Sequence, residues 1–330
     1  MHRLPRRDLL LSAAGAAAGA AAPAAGRAQQ AAAWPTRPVR IVVGYAAGGG
    51  TDIVARLMAE RLTRAWGQPV VVENRTGAAG TLAADLVAKA PPDGHTLMMA
   101  ASPELAIARS TQRNLPYDPV RDFAPVVLVC ELPFLLVVHP SVPARTLGEL
   151  LQLARAQPGR LNYASFGTGS SSHLVGELFR ATAGVDVNHI PYRGSAPAIA
   201  DLIAGQVQMA FDTFPAALPH VREGRLRAIA AAMPERSPLA PEVPTFGEAG
   251  LPGFTGGTWI GLIAPAATPA PVVDRIWRDS DALMRDGFAD ALRERGLELG
   301  GLGPDAFRRY IEAEVRKWSA VAERAGIRPE

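Results

Sequence analysis

Arg40-Ile41-Val42-Val43-Gly44-Tyr45-Ala46-Ala47-Gly48-Gly49-Gly50-Thr51-Asp52-Ile53-Val54 decides how this chain folds. A β-branched run ends in a glycine turn, and a helical pattern starts behind it. Ile53, Val54, Leu57, Met58, Leu62 and Trp66 fall on one stripe, with Arg56, Glu60, Arg61 and Arg64 largely off it. Val70-Val71-Val72 then reads as a second strand, which makes a βαβ unit. As continuous apolar runs, both strands are expected to be buried on both faces. A strand that ends in a glycine turn opening a helix leaves unpaired N–H groups and the positive end of a helix dipole facing one spot, which suits an anion.

The same transition recurs at Thr76-Gly77-Ala78-Ala79-Gly80-Thr81, at Ser165-Phe166-Gly167-Thr168-Gly169-Ser170-Ser171-Ser172 and at Arg193-Gly194-Ser195-Ala196-Pro197. Further strands are expected within residues 96–99, 161–163, 187–190, 207–211 and 225–231, alternating with helices. That alternation makes an α/β fold with a parallel sheet the default, with ligands beyond the carboxyl ends of the strands. Two segments break the rhythm. Residues 126–138 form a long apolar run interrupted by Glu131-Leu132-Pro133, and Trp259-Ile260-Gly261-Leu262-Ile263-Ala264-Pro265 is a second run. Read as crossings between domains, they make residues 35–134 and 255–330 one lobe and residues 135–254 the other. Phe307, Ile311, Val315, Trp318 and Ala322, behind Pro304-Asp305, mark a terminal helix packed on the core.

Residues 1–28 read as an export signal. Arg6-Arg7 precede a weakly hydrophobic Ala/Gly-rich stretch, and Gly26-Arg27-Ala28 offers small residues at alternate positions for a signal peptidase. The paired arginines look like a twin-arginine signal, with an ordinary secretory signal as the alternative. The expected location is the periplasm. Removing these residues leaves 30 Lys+Arg against 30 Asp+Glu, with the arginines scattered, so neither nucleic acid nor an anionic membrane surface is implied as a partner. Cys130 is the only cysteine, so no intramolecular disulfide can form, and its apolar setting reads as a buried structural thiol.

The chemistry of catalysis is missing. No Gly-x-Ser-x-Gly elbow occurs, and Gly48-Gly49-Gly50 fits neither the dinucleotide spacing nor a P-loop with its lysine. Histidines are isolated and form no ligand cluster, so no metal and no cofactor is expected. Such a chain is read as gripping a small acid without transforming it, with an exported enzyme as the weaker alternative.

At this point the residues resemble a known family, the Bug or TctC-type periplasmic receptors that serve tripartite tricarboxylate transporters. The match runs through Trp34-Pro35-Thr36-Arg37-Pro38-Val39-Arg40, Gly48-Gly49-Gly50-Thr51-Asp52-Ile53-Val54-Ala55-Arg56 and Gly67-Gln68-Pro69-Val70-Val71-Val72-Glu73-Asn74-Arg75. It continues in Pro91-Pro92-Asp93-Gly94-His95-Thr96-Leu97, Leu115-Pro116-Tyr117-Asp118-Pro119, Pro191-Tyr192-Arg193-Gly194, Asp201-Leu202-Ile203-Ala204-Gly205-Gln206-Val207 and Pro244-Thr245-Phe246-Gly247-Glu248-Ala249-Gly250. Two positions depart from the pattern: Gly44 stands where a proline is common, and Asn114 where an aromatic is frequent. The resemblance implies a type II periplasmic-binding fold, two α/β lobes closing on an organic carboxylate. It implies membrane transporter subunits as partners, with a sensor kinase as the alternative, and a monomer is expected.

It also implies a site. One carboxylate would be held by backbone groups at Ala47, Gly48 and Gly49, facing Thr168, Gly169, Ser170 and Ser171, and close approach would exclude bulk at Gly49. Asp52 is expected to cap its helix instead of meeting the ligand. Ser170, Ser171 and Ser172 divide between capping and donating, and His173 is read as packing ahead of donating to an acid. Tyr192, Arg193 and Ser195 sit beside another helix start, where Arg193 is either a bidentate partner of the ligand or a solvated charge. Asp212 ends a buried strand near the cleft, where it would orient a water or meet a cationic group. Tyr45 and Ser102 complete the candidate set, and Glu104 beside Ser102 would select against a second negative charge.

Overall fold

The computed structural model describes residues 34–324 together with Ile327 and Pro329. The export signal therefore lies outside the described residues. Strand β1 (Val39–Val43) leads through the first glycine turn into α1 (Gly50–Trp66) and back to β2 (Val70–Asn74), then α2 (Thr81–Ala88) and β3 (Thr96–Ala101). β1 pairs in parallel with β2 and β3. Val54, Met58 and Leu62 of the α1 stripe are almost fully buried, each stabilising the fold by about 1.5–3 kcal/mol, while Arg56, Glu60 and Arg64 stay exposed.

The long strand β4 (Phe123–Val138) follows, then α3 (Leu147–Ala156), β5 (Asn162–Ser165), α4 (Ser171–Ala183), β6 (Asn188–Pro191), α5 (Ser195–Ile203), β7 (Met209–Thr213), α6 (Phe214–Arg222) and β8 (Arg227–Ala231). The chain closes with β9 (Gly257–Pro265), α7 (Ala270–Leu283), β10 (Glu298–Leu302) and α8 (Pro304–Arg324). The strand order is β2-β1-β3-β9-β4-β7-β5-β6, with β8 and β10 also on β4. The sheet is mixed, in place of the expected parallel one: β5 pairs in parallel with β6 and β7, but β9 runs antiparallel to β3 and β4, and β7 antiparallel to β4.

β4 belongs to both halves. Residues 123–133 pair with β9, and residues 134–138 with β7. The run through Pro133 is thus one continuous strand. Of the two apolar runs that break the βα rhythm, β4 alone pairs with both β9 and β7. β9 lies wholly against β3 and β4, and the chain comes up to it at Gly256. There Phe134 N–H donates to Gly256 O (3.0 Å) and Gly256 N–H to Ala232 O (3.1 Å).

β2 is not buried on both faces. It is an edge strand with only β1 beside it, and Val71 is 54% exposed. Cys130 is fully buried on β4, and burial raises its thiol well above the ordinary range. On α8, Phe307, Ile311, Trp318 and Ala322 are buried as the spacing requires. No helix among the described residues is long and apolar enough to cross a membrane.

Candidate functional site

The carboxyl ends of β1, β3, β5 and β7 meet at one cavity, walled there by Tyr45, Ala101, Phe166 and Thr213. Four helices begin on it: α1 at Gly50 and Thr51, α4 at Ser171, α5 at Ser195, and α6 directly behind its N-cap Thr213. Each start contributes N–H groups without intrahelical partners and the positive end of a dipole. No charged side chain lines this cavity. The cavity is narrow, with about 340 Å³ between its atoms. Larger hollows exist, of about 1030 Å³ beside Trp259 and Trp318 and about 1330 Å³ beside Arg227, but the first gathers no helix start and the second only one, at Thr146.

The first turn is braced by Asp52. Its carboxylate accepts from Gly48 N–H (2.9 Å), Arg56 Nε (2.8 Å) and Asn74 Nδ2 (2.9 Å). Burial pushes this carboxyl up, but the hydrogen bonds from Arg56, Gly48 and Asn74 outweigh it and hold it below the usual range. Asp52 is thus occupied locally. Around the expected cradle Gly48 N–H points to Asp52 and Gly49 N–H donates to Ala46 O (3.4 Å), while Gly49 lines the cavity and Ala47 is exposed and off the wall. The donors on the wall come one residue later, at Gly50 and Thr51. Glycine is needed there too: a Cβ on Gly50 would lie 2.9 Å from both Leu132 Cδ2 and Thr213 Oγ1. Gly49, by contrast, has φ −79° and only ordinary contacts, the nearest at 3.5 Å. Gly48 carries the left-handed φ of +85°.

In the facing loop the serines divide. Ser170 Oγ caps α4 by accepting from His173 N–H (3.3 Å), and Ser172 Oγ accepts from Phe166 N–H (2.9 Å). Ser171 lies on the cavity wall. Thr168 is exposed and off the wall, and Gly169 N–H donates to His173 Nδ1 (3.1 Å). His173 stacks on His189 at 4.0 Å, which stacks on Tyr163 at 5.0 Å. Burial, followed by the neighbouring His173, pushes His189 down to about 4. His173 is a packing residue that also braces the loop.

Tyr192 donates its hydroxyl to Asp201 (2.8 Å), away from the cavity. Arg193 is exposed, has no ion-pair partner among the described residues and does not line the wall. Ser195 does, with its hydroxyl 2.9 and 2.8 Å from the two oxygens of Asp212, which also accepts from Thr213 N–H (2.7 Å). Asp212 is fully buried behind Ser195, and burial raises its carboxyl to about 7 despite these bonds. Ser102 likewise stands one layer back, its hydroxyl 2.9 Å from that of Thr258 on the wall.

Glu104 is buried too. Tyr45 Oη and Ala101 N lie 3.2 Å from its Oε2, and Oε1 has no hydrogen-bond partner. Burial lifts its carboxyl to about 8. It sits behind the wall, and so does the second glycine turn, which reaches the site only through the Tyr45 hydroxyl on Ala79 O (3.2 Å).

Of the sequence candidates, then, Tyr45, Gly49, Ser171 and Ser195 reach the cavity wall, and the others support it or stand apart. Gly50, Thr51, Ala101, Phe166, Thr213 and Thr258 also line it and were not foreseen. Thr213 had a legible signal, a threonine N-cap two residues before Pro215 at a helix start. Thr258 had none.

Comparison with known proteins agrees with this geometry. The family model described as the tripartite tricarboxylate transporter family receptor matches residues 54–327. Among solved structures, R. palustris Rpa4515 with adipate is 39% identical, covers 90% of this chain and 100% of its own, and superposes with a TM-score of 0.88. The periplasmic binding protein BugD is 34% identical over 90% of this chain and 100% of its own, with a TM-score of 0.86. MatC (Rpa3494) from Rhodopseudomonas palustris with bound malate is 37% identical over 87% of this chain and 99% of its own, with a TM-score of 0.83. A mixed α/β chain whose strand ends and helix starts converge on one neutral cavity, and which matches these proteins over nearly its whole described length, belongs to the Bug/TctC receptors of the tripartite tricarboxylate transporter family, which are periplasmic solute-binding proteins and not enzymes.

Proposed function

We propose that this protein is an extracytoplasmic receptor that captures a small organic carboxylate and delivers it to the membrane subunits of a tripartite tricarboxylate-type transporter. The carrying observation is the convergence of four helix N-termini on a cavity without a charged side chain in its wall. Such a wall attracts an anion through fixed dipoles and N–H donors, and it needs no salt bridge to do so. Malate and adipate, bound by two relatives, are of this class. Residues 35–134 with 255–330 would form one lobe and residues 135–254 the other, flexing where β4 passes Pro133. Thr51 and Ser171, with the N–H groups of Gly50 and Thr51, would hold the carboxylate. Residues 1–28 would direct export to the periplasm and be removed.

A panel of small carboxylates screened by thermal shift on the exported form tests the reading. At a hundredfold excess over the dissociation constant a true ligand adds about 2.7 kcal/mol of stability. The expected result is stabilisation by one or a few carboxylates, each recovered chemically unchanged. Stabilisation confined to neutral or cationic solutes, or conversion of a carboxylate to product, overturns it.

A further inference from the structure

Two carboxyl groups stand behind this cavity, each masked from it by a hydroxyl on the wall: Asp212 behind Ser195, and Glu104 behind Tyr45. Hydroxyls are single donors. With Asp212 ionised, the Ser195 proton is held between the two Asp212 oxygens at 2.9 and 2.8 Å, and Ser195 offers an incoming anion only lone pairs. The Tyr45 proton has two acceptors at 3.2 Å, Ala79 O and Glu104 Oε2, and can serve one of them. Glu104 Oε1 is buried without a partner, which an ionised carboxylate tolerates poorly and a neutral acid tolerates well. As they stand, these two hydroxyls oppose the anion that the helix starts invite. A proton on Asp212 reverses Ser195: the acid donates forward to the hydroxyl, and the hydroxyl turns its own proton into the cavity, while beside a neutral Glu104 the Tyr45 proton serves Ala79 O.

We infer that anion capture by this receptor is proton-linked: Glu104 is held as the neutral acid, and Asp212 takes up a proton as the ligand arrives, so that Ser195 becomes a donor to it. The inference rests on the carboxylate-receptor reading above. The balance is simple, with one proton moving from solvent to Asp212 and no covalent bond of the ligand changed. Burial places both carboxyls where neutral pH can protonate them. The surroundings do not supply a competing charge in contact with them. Among the described residues Asp212 is hydrogen-bonded by the Ser195 and Thr213 hydroxyls and the Thr213 N–H, and α1, which packs on α6, carries the Asp52–Arg56 pair. Glu104 faces Tyr45, and Tyr117 donates to its backbone carbonyl at 2.8 Å; Asp85 on α2 acts on Tyr117.

The test has two arms on the exported form, wild type beside Asp212→Asn and Glu104→Gln, both of which imitate the protonated acid. In the ligand-free arm, each raised carboxyl contributes stability that is full below its ordinary range near pH 4 and is lost as pH rises through its folded value. Wild type is therefore expected to lose melting temperature from pH 5 to pH 8 and level off above, with a shallower slope in each variant. In the binding arm, calorimetry with adipate at pH 8 in two buffers of different ionisation heat should show uptake of about one proton per ligand in wild type, and affinity falling by up to about tenfold per pH unit above pH 7. Asp212→Asn should take up almost none, and its affinity should be flat across that range. Equal enthalpies in the two buffers for wild type, or the same uptake in Asp212→Asn, overturns the inference. Equal melting slopes in all three proteins overturn it without reference to any ligand. Where adipate gives no heat, the carboxylate that stabilises most in the thermal-shift panel takes its place in the titration; absence of any stabilising carboxylate counts against the carboxylate reading, and the ligand-free arm then still decides whether the carboxyls hold protons.

Discussion

Gly50 and Thr213 meet on the cavity wall: a Cβ on Gly50 would sit 2.9 Å from the Thr213 hydroxyl oxygen. The start of α1 stands against the N-cap of α6 with no room for a methyl group. Gly50→Ala is therefore expected to fold, since alanine suits the first turn of a helix, and to bind its carboxylate about ten- to a hundredfold more weakly through the overpacking cost of closing. Gly49→Ala, with its negative φ and contacts at 3.5 Å, should stay within about threefold of wild type in the same calorimetric titration.

Thr51 on α1 and Ser171 on α4 both line the cavity, and their hydroxyls make no hydrogen bond among the described residues. Thr51→Val and Ser171→Ala should each cost about 1–3 kcal/mol of binding, roughly five- to two-hundredfold in Kd, with little change in melting temperature. Arg193→Ala and Thr168→Ala, both exposed and off the wall, should change Kd by less than about twofold. A loss of binding in Arg193→Ala, measured by calorimetry, would replace the dipole cradle with a salt bridge.

Asp52 gathers three donors under the first turn. Asp52→Ala should cost about 1–3 kcal/mol in urea unfolding at pH 7. Because its carboxyl is held below the ordinary range, that contribution is present above pH 4 and disappears as pH falls through the folded value. Wild type and variant should converge in stability toward pH 2.

His189, buried beside His173, binds its proton less readily in the folded chain than in the unfolded one. Its effect on stability has the opposite sign to that of the two raised carboxyls: stability is kept above pH 6.5 and lost as pH falls toward 4. The difference in melting temperature between wild type and His189→Asn should therefore narrow from pH 6.5 to pH 4, since the carboxyls act equally in both proteins.

The β1-turn-α1 unit was legible because a buried strand followed by an amphipathic helix leaves a composition signature at every position. The direction of β9 was not, since its residues are as apolar as a parallel strand's and only the path of the chain decides that it runs antiparallel to β4. Val70-Val71-Val72 looked buried for the same reason, though β2 has a neighbour on one side only. At the site, the glycine turn could be seen in the sequence. What could not be seen was that Asp52, four residues on, claims Gly48 N–H and shifts the free donors to Gly50 and Thr51. Thr258 reaches the wall through the register of β9, in which it pairs with Leu132 on β4, and no local pattern encodes that.

The interior position of Cys130 makes the native chain, in practice, a blank for thiol chemistry. A deeply buried sulfhydryl with a raised ionisation point reacts slowly with maleimides and iodoacetamides. Dyes or spin labels attached to cysteines introduced at exposed positions beside the cavity, for example at Ala47 and Arg193, would then report the distance between the loops that carry them without first removing a native residue from the core.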